Sequence, residues 1–144
     1  NISAYSLAPL CKFAKPLFSQ GAGVVTLTYL GSERAIPNYN VMGVAKAALE
    51  TSIKYLAVDM GDRGIRVNAI SAGPMRTLAG AVINKSRKIY NYTIENSPIK
   101  KPLSLADIGK SSVYLMSDLS KGVTGEILYV DNGYNKVGMS VQEL

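Results

Sequence analysis

The chain has 144 residues, of which 47% are hydrophobic and 18% are charged; this composition indicates one globular domain, with no apolar run long enough to span a membrane. It contains no histidine and a single cysteine, which excludes Ser–His triads, internal disulfides and most zinc sites, and leaves Tyr, Lys, Asp and Glu for acid–base chemistry. The net charge of +6 is not gathered into a dense basic run with interleaved aromatics, so it indicates solubility or an acidic protein partner rather than nucleic acid.

The first part of the chain predicts a helix followed by a strand. Apolar residues recur at helical spacing over 3–19, although Pro9 and Pro16 are expected to kink this helix. Cys11 lies within it and is interpreted as a small core residue rather than a nucleophile. The run VVTLTYL at 24–30 is β-branched and apolar without alternation, which is typical of a strand covered on both faces in a parallel sheet.

A long helix is predicted over 39–60, with apolar residues on two of its sides. One stripe consists of Met42, Leu49, Ile53, Leu56 and Met60, and the other of Val41, Val44, Ala48 and Tyr55. A helix with two apolar sides packs once on its own sheet and once on another surface, and small residues near its start permit close approach of a second helix. We therefore expect a homo-oligomer that uses this helix.

The remaining pattern continues the alternation of strands and helices. Its predicted elements are a strand at 65–71, a loop at 72–74, a basic helical region up to about 96, a helix at 103–118 with Ser104 and Asp107 as a capping box, and a final strand and turn at 125–133. Alternation of this kind predicts an α/β fold with a parallel sheet, in which one edge has no neighbour supplied by this chain.

Tyr39 and Lys46 are the first candidate functional pair. Seven residues make nearly two helical turns, so in one helix these side chains lie about 20° apart around the axis and about 10 Å apart along it. Both reach one bound molecule from such positions, and an ammonium near a phenol is expected to lower the phenol's pKa. The alternative is that Tyr39 only packs at a helix start.

The context of the pair favours a functional site. Tyr29 stands at the end of the predicted strand 24–30, and the next strand ends in SAGPMRT. In open α/β sheets ligands bind beyond the carboxyl ends of the strands, and backbone N–H groups that begin a helix there hold phosphate. We expect Tyr29, Tyr39 and Lys46 to meet at this edge.

Two stretches carry a family resemblance: YLGSERAIPNYNVMGVAKAALE and GIRVNAISAGPMRTLAG. Together with SSVYLMSDLSKGVTGEILYVDNG they resemble the enoyl-acyl carrier protein reductases, the divergent branch of the short-chain dehydrogenase/reductases, which has Tyr-x6-Lys where the ordinary branch has Tyr-x3-Lys. The resemblance implies a Rossmann-like parallel sheet with flanking helices. The family's glycine-rich N-terminal turn has no counterpart, so 1–144 is expected to be the C-terminal half of one such domain.

The resemblance implies reduction of the C2=C3 double bond of a trans-2-enoyl thioester on acyl carrier protein, in bacterial fatty acid synthesis. The cofactor implied is NADH, or NADPH in some members, and the enzyme implied is a cytoplasmic homotetramer. Tyr39 would bind the thioester carbonyl and stabilise the enolate, Lys46 would bind the nicotinamide ribose, and Tyr29 would line the acyl pocket and assist catalysis. The implied cofactor contacts are Met75, Arg76, Thr77, Leu78 and Ala79.

Further candidates lie beside these segments. An acyl channel lined by Met42, Leu78, Ala79, Val82 and Ile83 is one interpretation of their apolar character, and ordinary core packing is the other. Arg87 and Lys88 follow near the expected channel mouth, where they meet the acidic carrier protein or form a solvated basic face.

Two other functions remain open. One is a carbonyl or alcohol reductase of the same superfamily, against which the Tyr-x6-Lys spacing argues. The other is an inactive oligomerisation scaffold built on the helix at 39–60. In either enzymatic case the 144 residues alone are expected to bind NADH poorly and to turn over little or not at all.

Overall fold

Helices and strands alternate along the chain as predicted. The computed structural model describes residues 2–75 and 86–139. Its principal elements are α1 (Leu7–Ala14), β1 (Gly23–Thr28), α2 (Asn40–Met60), β2 (Arg66–Ala72), α3 (Ser86–Asn96), α4 (Leu105–Met116) and β3 (Ile127–Val130). No helix in these two ranges combines the length and the apolarity needed to cross a lipid bilayer.

The three strands form one parallel sheet in the order β1-β2-β3. Gly23 pairs with Arg66 at one end of β1, and Ala69 pairs with Ile127 where β3 begins. β2 is the central strand and is buried over most of its length, which explains its apolar run. The prediction that the strand at 24–30 is covered on both faces is wrong in part: Val24 and Val25 pack on opposite core layers, but Leu27 is 49% exposed.

The core has two layers, one on each face of the sheet. Alternate residues of β2 point to opposite faces, so Val67 and Ala69 pack on α2 whereas Ile70 packs on α4. The first layer contains Cys11, Leu49, Ile53, Ala57, Met60, Ile65, Val67 and Ala69, and the second contains Ile70, Ile108 and Leu115. The predicted α/β architecture with helices on both faces is confirmed.

The two apolar sides of α2 differ sharply in burial. Leu49, Ile53 and Met60 are buried against the sheet, as predicted. The opposite face, made of Val41, Val44, Tyr55 and Val58, is 70 to 79% exposed. Met42 belongs to the predicted buried stripe but is 40% exposed, because it lies in the first turn of the helix, beyond the sheet. Within the described ranges, α2 therefore presents an uncovered apolar face.

The ends of the flanking helices show where local chemistry decides the structure. The helix predicted over 3–19 is shorter than expected: α1 ends at Ala14, and a 3-10 turn with Pro16 in its first positions follows it. Cys11 is 3% exposed in the core, and burial raises the pKa of its thiol. At the start of α4, Ser104 and Asp107 form the predicted capping box.

A buried arginine fixes α4 to the sheet. Arg66 is 6% exposed, and its guanidinium donates to the carbonyl oxygens of Leu115 and Ser117 and to the hydroxyl of Ser120. Carbonyl groups at a helix end lack intrahelical donors, so Arg66 satisfies them and is itself satisfied.

Two glycines bring the start of α2 against the turn that follows β1. A Cβ atom added to Gly43 would lie 2.6 Å from the carbonyl oxygen of Gly31, and one added to Gly31 would collide with the ring of Tyr39. The helix and the turn therefore approach more closely than any residue with a side chain permits.

Replacing Gly43 with Ala is expected to destabilise the fold by about 1–3 kcal/mol, because the new methyl group meets backbone that cannot move aside cheaply. Urea unfolding measures the effect. The matched control is Gly109→Ala in α4, where an added Cβ finds no described atom within 4 Å and should stabilise the helix by about 0.5–1 kcal/mol. Equal stabilisation by both substitutions would contradict the close approach.

Candidate active site

Two tyrosine rings pack against each other at the carboxyl end of β1. Tyr29 follows β1 directly, and its ring centroid lies 4.9 Å from that of Tyr39, with the planes at 72°. This edge-to-face arrangement is favourable for aromatic pairs. Gly31 leaves the space in which the Tyr39 ring lies.

Tyr39 itself lies just outside the helix. α2 begins at Asn40, and Tyr39 stands between Asn38 and Asn40, whose φ angles are +66° and +37°. Asparagine adopts positive φ more readily than most residues. Tyr39 is the residue immediately before the helix and its ring packs on Tyr29, so its predicted position over Lys46 along one helix face stays a prediction.

Lys46 holds the same end of β1 from the second turn of α2. Its Nζ donates to the carbonyl oxygen of Leu27 at 2.9 Å, two residues before Tyr29. Burial lowers the pKa of Lys46, whereas the Glu50 charge acts in the opposite direction. The structure therefore brings Tyr29, Tyr39 and Lys46 to one edge of the sheet, as expected for three groups around one ligand.

The electrostatics of the phenols differ from the expectation. Burial, followed by the neighbouring Tyr134 and Tyr39, raises the pKa of Tyr29 to about 12, and burial raises the pKa of Tyr39. The prediction that Lys46 lowers the pKa of Tyr39 is wrong, because desolvation disfavours the phenolate. Both phenols therefore keep their protons at neutral pH, and a protonated phenol has an O–H group that can donate a hydrogen bond.

Glu50 is a buried acidic residue at this site that the sequence analysis missed. It lies one helical turn after Lys46 and is 8% exposed. Its Oε1 accepts hydrogen bonds from the hydroxyls of Thr28 at 2.5 Å and Ser32 at 2.6 Å. A signal was present in the sequence: Glu50 stands three residues before Ile53, on the stripe that faces the sheet.

An apolar cavity of about 460 Å³ opens beside Tyr29. Residues of the turn before α2, of α3 and of the C-terminal segment line it: Tyr29, Ile36, Pro37, Lys88, Ile89, Tyr92, Thr93 and Tyr134. Its size and lining suit a small apolar ligand with a few polar contacts. Lys88 lines the cavity and is exposed, and the adjacent Arg87 on α3 is exposed as well.

A second cavity, of about 710 Å³, lies along β3 and contains none of the predicted site residues. Asp131 on its wall accepts hydrogen bonds from the backbone N–H groups of Gly133 and Asn135 and is fully engaged in that turn. The two described ranges contain no group of three His, Cys, Asp or Glu residues that would hold a metal ion. We therefore centre the candidate site on the carboxyl end of β1.

The other predicted site residues fall into two groups. Met42 is outside the lining of the cavity beside Tyr29, and Met75 is half-buried and packs on the core around Ile70. The others lie outside the residues that the structure describes, and their roles stay predictions: Arg76, Thr77, Leu78, Ala79, Val82 and Ile83.

Comparison with known proteins gives consistent matches. A family model described as "Enoyl-(Acyl carrier protein) reductase" matches residues 1–135. The enoyl-[acyl-carrier-protein] reductase [NADH] 2 of Rhizobium meliloti is 57% identical over 142 residues, which are 99% of this chain and 53% of that protein. The reductase [NADH] FabI of Rickettsia prowazekii is 55% identical over 97% of this chain and 54% of its own length. The chain thus spans about half the length of the curated relatives it matches.

Solved structures agree with these matches. FabI from Candidatus Liberibacter asiaticus is 56% identical with a TM-score of 0.92, over 96% of this chain and 54% of that one. The reductase from Anaplasma phagocytophilum, solved in complex with NAD, is 51% identical with a TM-score of 0.91, over 96% and 53% of the two chains. The match confirms the predicted fold class, a Rossmann-like parallel sheet with flanking helices.

Tyr29 is expected to stay protonated where ordinary tyrosines ionise. Because its pKa is raised to about 12, the unaltered protein and the Tyr29→Phe variant should develop equal phenolate absorbance up to about pH 11. Ultraviolet difference titration measures this, with free tyrosine amide, whose pKa is about 10, as the reference. Loss of one phenolate near pH 10 in the variant would contradict the burial of this hydroxyl.

Proposed function

The chain belongs to the enoyl-acyl carrier protein reductase family, and from that premise we propose that it carries out the reduction of the C2=C3 double bond of a trans-2-enoyl thioester by NADH, with acyl carrier protein bearing the acyl chain. The observation that carries the proposal is the meeting of Tyr29, Tyr39 and Lys46 at the carboxyl end of β1. Ligands of open α/β sheets bind at this edge.

The residues present fit a nicotinamide cofactor. The Lys46 ammonium has three N–H donors and uses one on the carbonyl oxygen of Leu27, so two remain for the hydroxyls of the nicotinamide ribose. NADH supplies the hydride that C3 of the substrate receives. Met75, Arg76, Thr77, Leu78 and Ala79 are retained in this proposal as cofactor contacts of the segment after β2.

Tyr39 acts on the oxygen of the thioester carbonyl. A phenol with the ordinary pKa of about 10 is already protonated at neutral pH, and burial raises the pKa of Tyr39 further, so its O–H is available to donate a hydrogen bond to that oxygen. The bond strengthens as negative charge develops on the oxygen in the enolate, which lowers the barrier. A proton then reaches C2, either from Tyr39 or from water, and completes the reduction.

The cavity beside Tyr29 is proposed to receive the acyl chain. Ile36, Pro37 and Ile89 supply apolar surface, and the Tyr29 hydroxyl supplies one polar group. Met42, Ala79, Val82 and Ile83 are retained as candidates for the rest of the channel. Tyr29 thus lines the pocket and assists Tyr39 in orienting the thioester.

Two surfaces are proposed to bind other proteins. Arg87 and Lys88 are exposed on α3, with Lys88 at the edge of the cavity, which places positive charge where an acidic carrier protein would deliver its acyl chain. The exposed apolar face of α2 supports a homo-oligomer, proposed to be a tetramer. Bacterial fatty acid synthesis places the proposed reaction in the cytoplasm.

The matched length of about half of each relative supports the further proposal that these residues form the C-terminal half of one Rossmann-like domain. Activity is therefore to be measured on the full-length protein.

Replacing Tyr39 with Phe is expected to lower kcat for a crotonyl thioester by about 100-fold or more, because the donor to the developing oxyanion is lost. The KM for NADH should stay nearly unchanged. Consumption of NADH, followed by absorbance, measures both values. Tyr5→Phe is the control, since Tyr5 is 71% exposed in the segment before α1.

Two results would contradict the proposal in different ways. Absence of enoyl reduction together with indifference to Tyr39→Phe would favour the inactive scaffold. Faster reduction of a panel of ketones than of enoyl thioesters would favour a carbonyl reductase.

Reversing the charge on α3 with Arg87→Glu and Lys88→Glu is expected to raise the KM for the carrier-bound substrate by about tenfold. The KM for a small enoyl thioester should change far less, because that substrate has no acidic protein attached. Added salt should raise the KM for the carrier-bound substrate of the unaltered protein more than that of the variant. Lys110→Glu on α4 serves as the control. An equal effect on both substrates would remove α3 from the proposed interface.

A further inference from the structure

We propose that Glu50 is a positioning residue, whose carboxylate holds the turn carrying Tyr29 and thereby fixes the Tyr29 hydroxyl relative to Tyr39. The inference deepens the proposed function and rests on it, because it concerns how that site is kept in shape. Glu50 touches no reacting atom in this proposal and acts through Tyr29.

The hydrogen bonds of Glu50 enclose Tyr29 from both sides along the chain. Thr28 is the residue before Tyr29, and Ser32 closes the turn after it, and both hydroxyls donate to the same oxygen, Oε1, at 2.5 Å and 2.6 Å. The turn itself is closed by the Ser32 N–H, which donates to the Tyr29 carbonyl oxygen at 2.9 Å. One carboxylate oxygen therefore fixes both ends of a five-residue segment.

Lys46 completes the attachment one turn earlier on α2. Its bond to the Leu27 carbonyl oxygen and the two bonds of Glu50 fall on successive turns of the same helix. Helix α2 therefore supports the segment that carries Tyr29. The ring centroids of Tyr29 and Tyr39 lie 4.9 Å apart. A helix is a stiffer support than a loop for a group that must be placed accurately.

Burying a carboxylate at this position costs free energy unless hydrogen bonds compensate for the lost hydration. Glu50 is 8% exposed and lies on the stripe that packs Ile53 and Ala57 into the core, where an apolar residue would avoid the desolvation penalty. Among the residues that the structure describes, Glu50 interacts electrostatically with Lys46 on α2 and with Tyr129 on β3. Burial foremost, and then Glu33, raises the pKa of Tyr129, to which the Glu50 charge adds.

Removal of the acceptor tests the proposal. Glu50→Ala is expected to lower kcat for a crotonyl thioester by about 10- to 100-fold, the loss typical of a small misplacement of a reacting group. Glu50→Gln keeps an oxygen that accepts from both hydroxyls and should lose less than about fivefold. The KM for NADH should change by less than about twofold in both variants, because Lys46 keeps its bond to the Leu27 carbonyl oxygen.

Removal of a hydroxyl that donates to Glu50 is a second test of the proposal. Thr28→Val removes one of the two bonds to Glu50 and should lower kcat by an amount between those of the two Glu50 variants. Among the residues the structure describes, Glu50 receives hydroxyl bonds from Thr28 and Ser32 alone, so Thr26→Val on the same strand is the matched control. A rise in the KM for NADH with kcat intact would overturn the proposal, since Glu50 would then act through Lys46.

A double-mutant cycle separates positioning of Tyr29 from general support of the fold. In a Tyr29→Phe background there is no hydroxyl left to place, so Glu50→Ala should lower kcat by less than about twofold further. Loss of the full factor again in that background would overturn the proposal. If Glu50→Ala does not fold, the same cycle is run with Thr28→Val.

A structural measurement keeps this inference separate from the proposed function. The unaltered protein and Glu50→Gln should show a nuclear Overhauser effect between the rings of Tyr29 and Tyr39, and Glu50→Ala, or Thr28→Val in its place, should show a weakened one. Persistence of the full effect in every variant overturns the positioning role. An unaltered protein that shows the effect but no enoyl reduction overturns the proposed function instead.

Discussion

The close contact between the start of α2 and the turn after β1 is the constraint on which the site depends. Gly31 and Gly43 permit it, because a side chain on either would enter space already filled by backbone or by the Tyr39 ring. Once the two segments touch, the side chains of α2 reach the end of β1 without spanning a gap. The bonds from Lys46 to the Leu27 carbonyl and from Thr28 to Glu50 then follow from the backbone arrangement.

Two buried polar side chains hold elements of this fold in register. Arg66 binds the carbonyl end of α4, and Glu50 binds the hydroxyls around Tyr29. Hydrophobic packing on both faces of β2 supplies most of the driving force, yet it is tolerant of small shifts. Directional bonds at the sheet's edge select one arrangement, which is what a site with two adjacent phenols requires.

The alternation of strands and helices was predictable because buried parallel strands and amphipathic helices leave clear patterns. The capping box at Ser104 and the two apolar sides of α2 were equally predictable from the sequence. The state of the phenols was not, since the pKa of Tyr39 depends on burial that no spacing rule supplies. Nor does the spacing reveal that the Tyr39 ring packs edge-to-face on Tyr29 from a position just before α2. The hydrogen bonds that Glu50 accepts could not be predicted, because Thr28 and Ser32 lie 22 and 18 residues away from it in the sequence.

The exposed face of α2, with Val41, Val44, Tyr55 and Val58, has a consequence for regulation by mass action. Val44 and Lys46 are two residues apart and lie on opposite sides of α2. A protein that covers the outer side of α2 therefore also restrains the inner side, from which Lys46 and Glu50 bind Leu27 and Thr28. If a second copy of the chain covers that side, as proposed, self-association and the order of the candidate site are thermodynamically linked, and dilution would weaken both together.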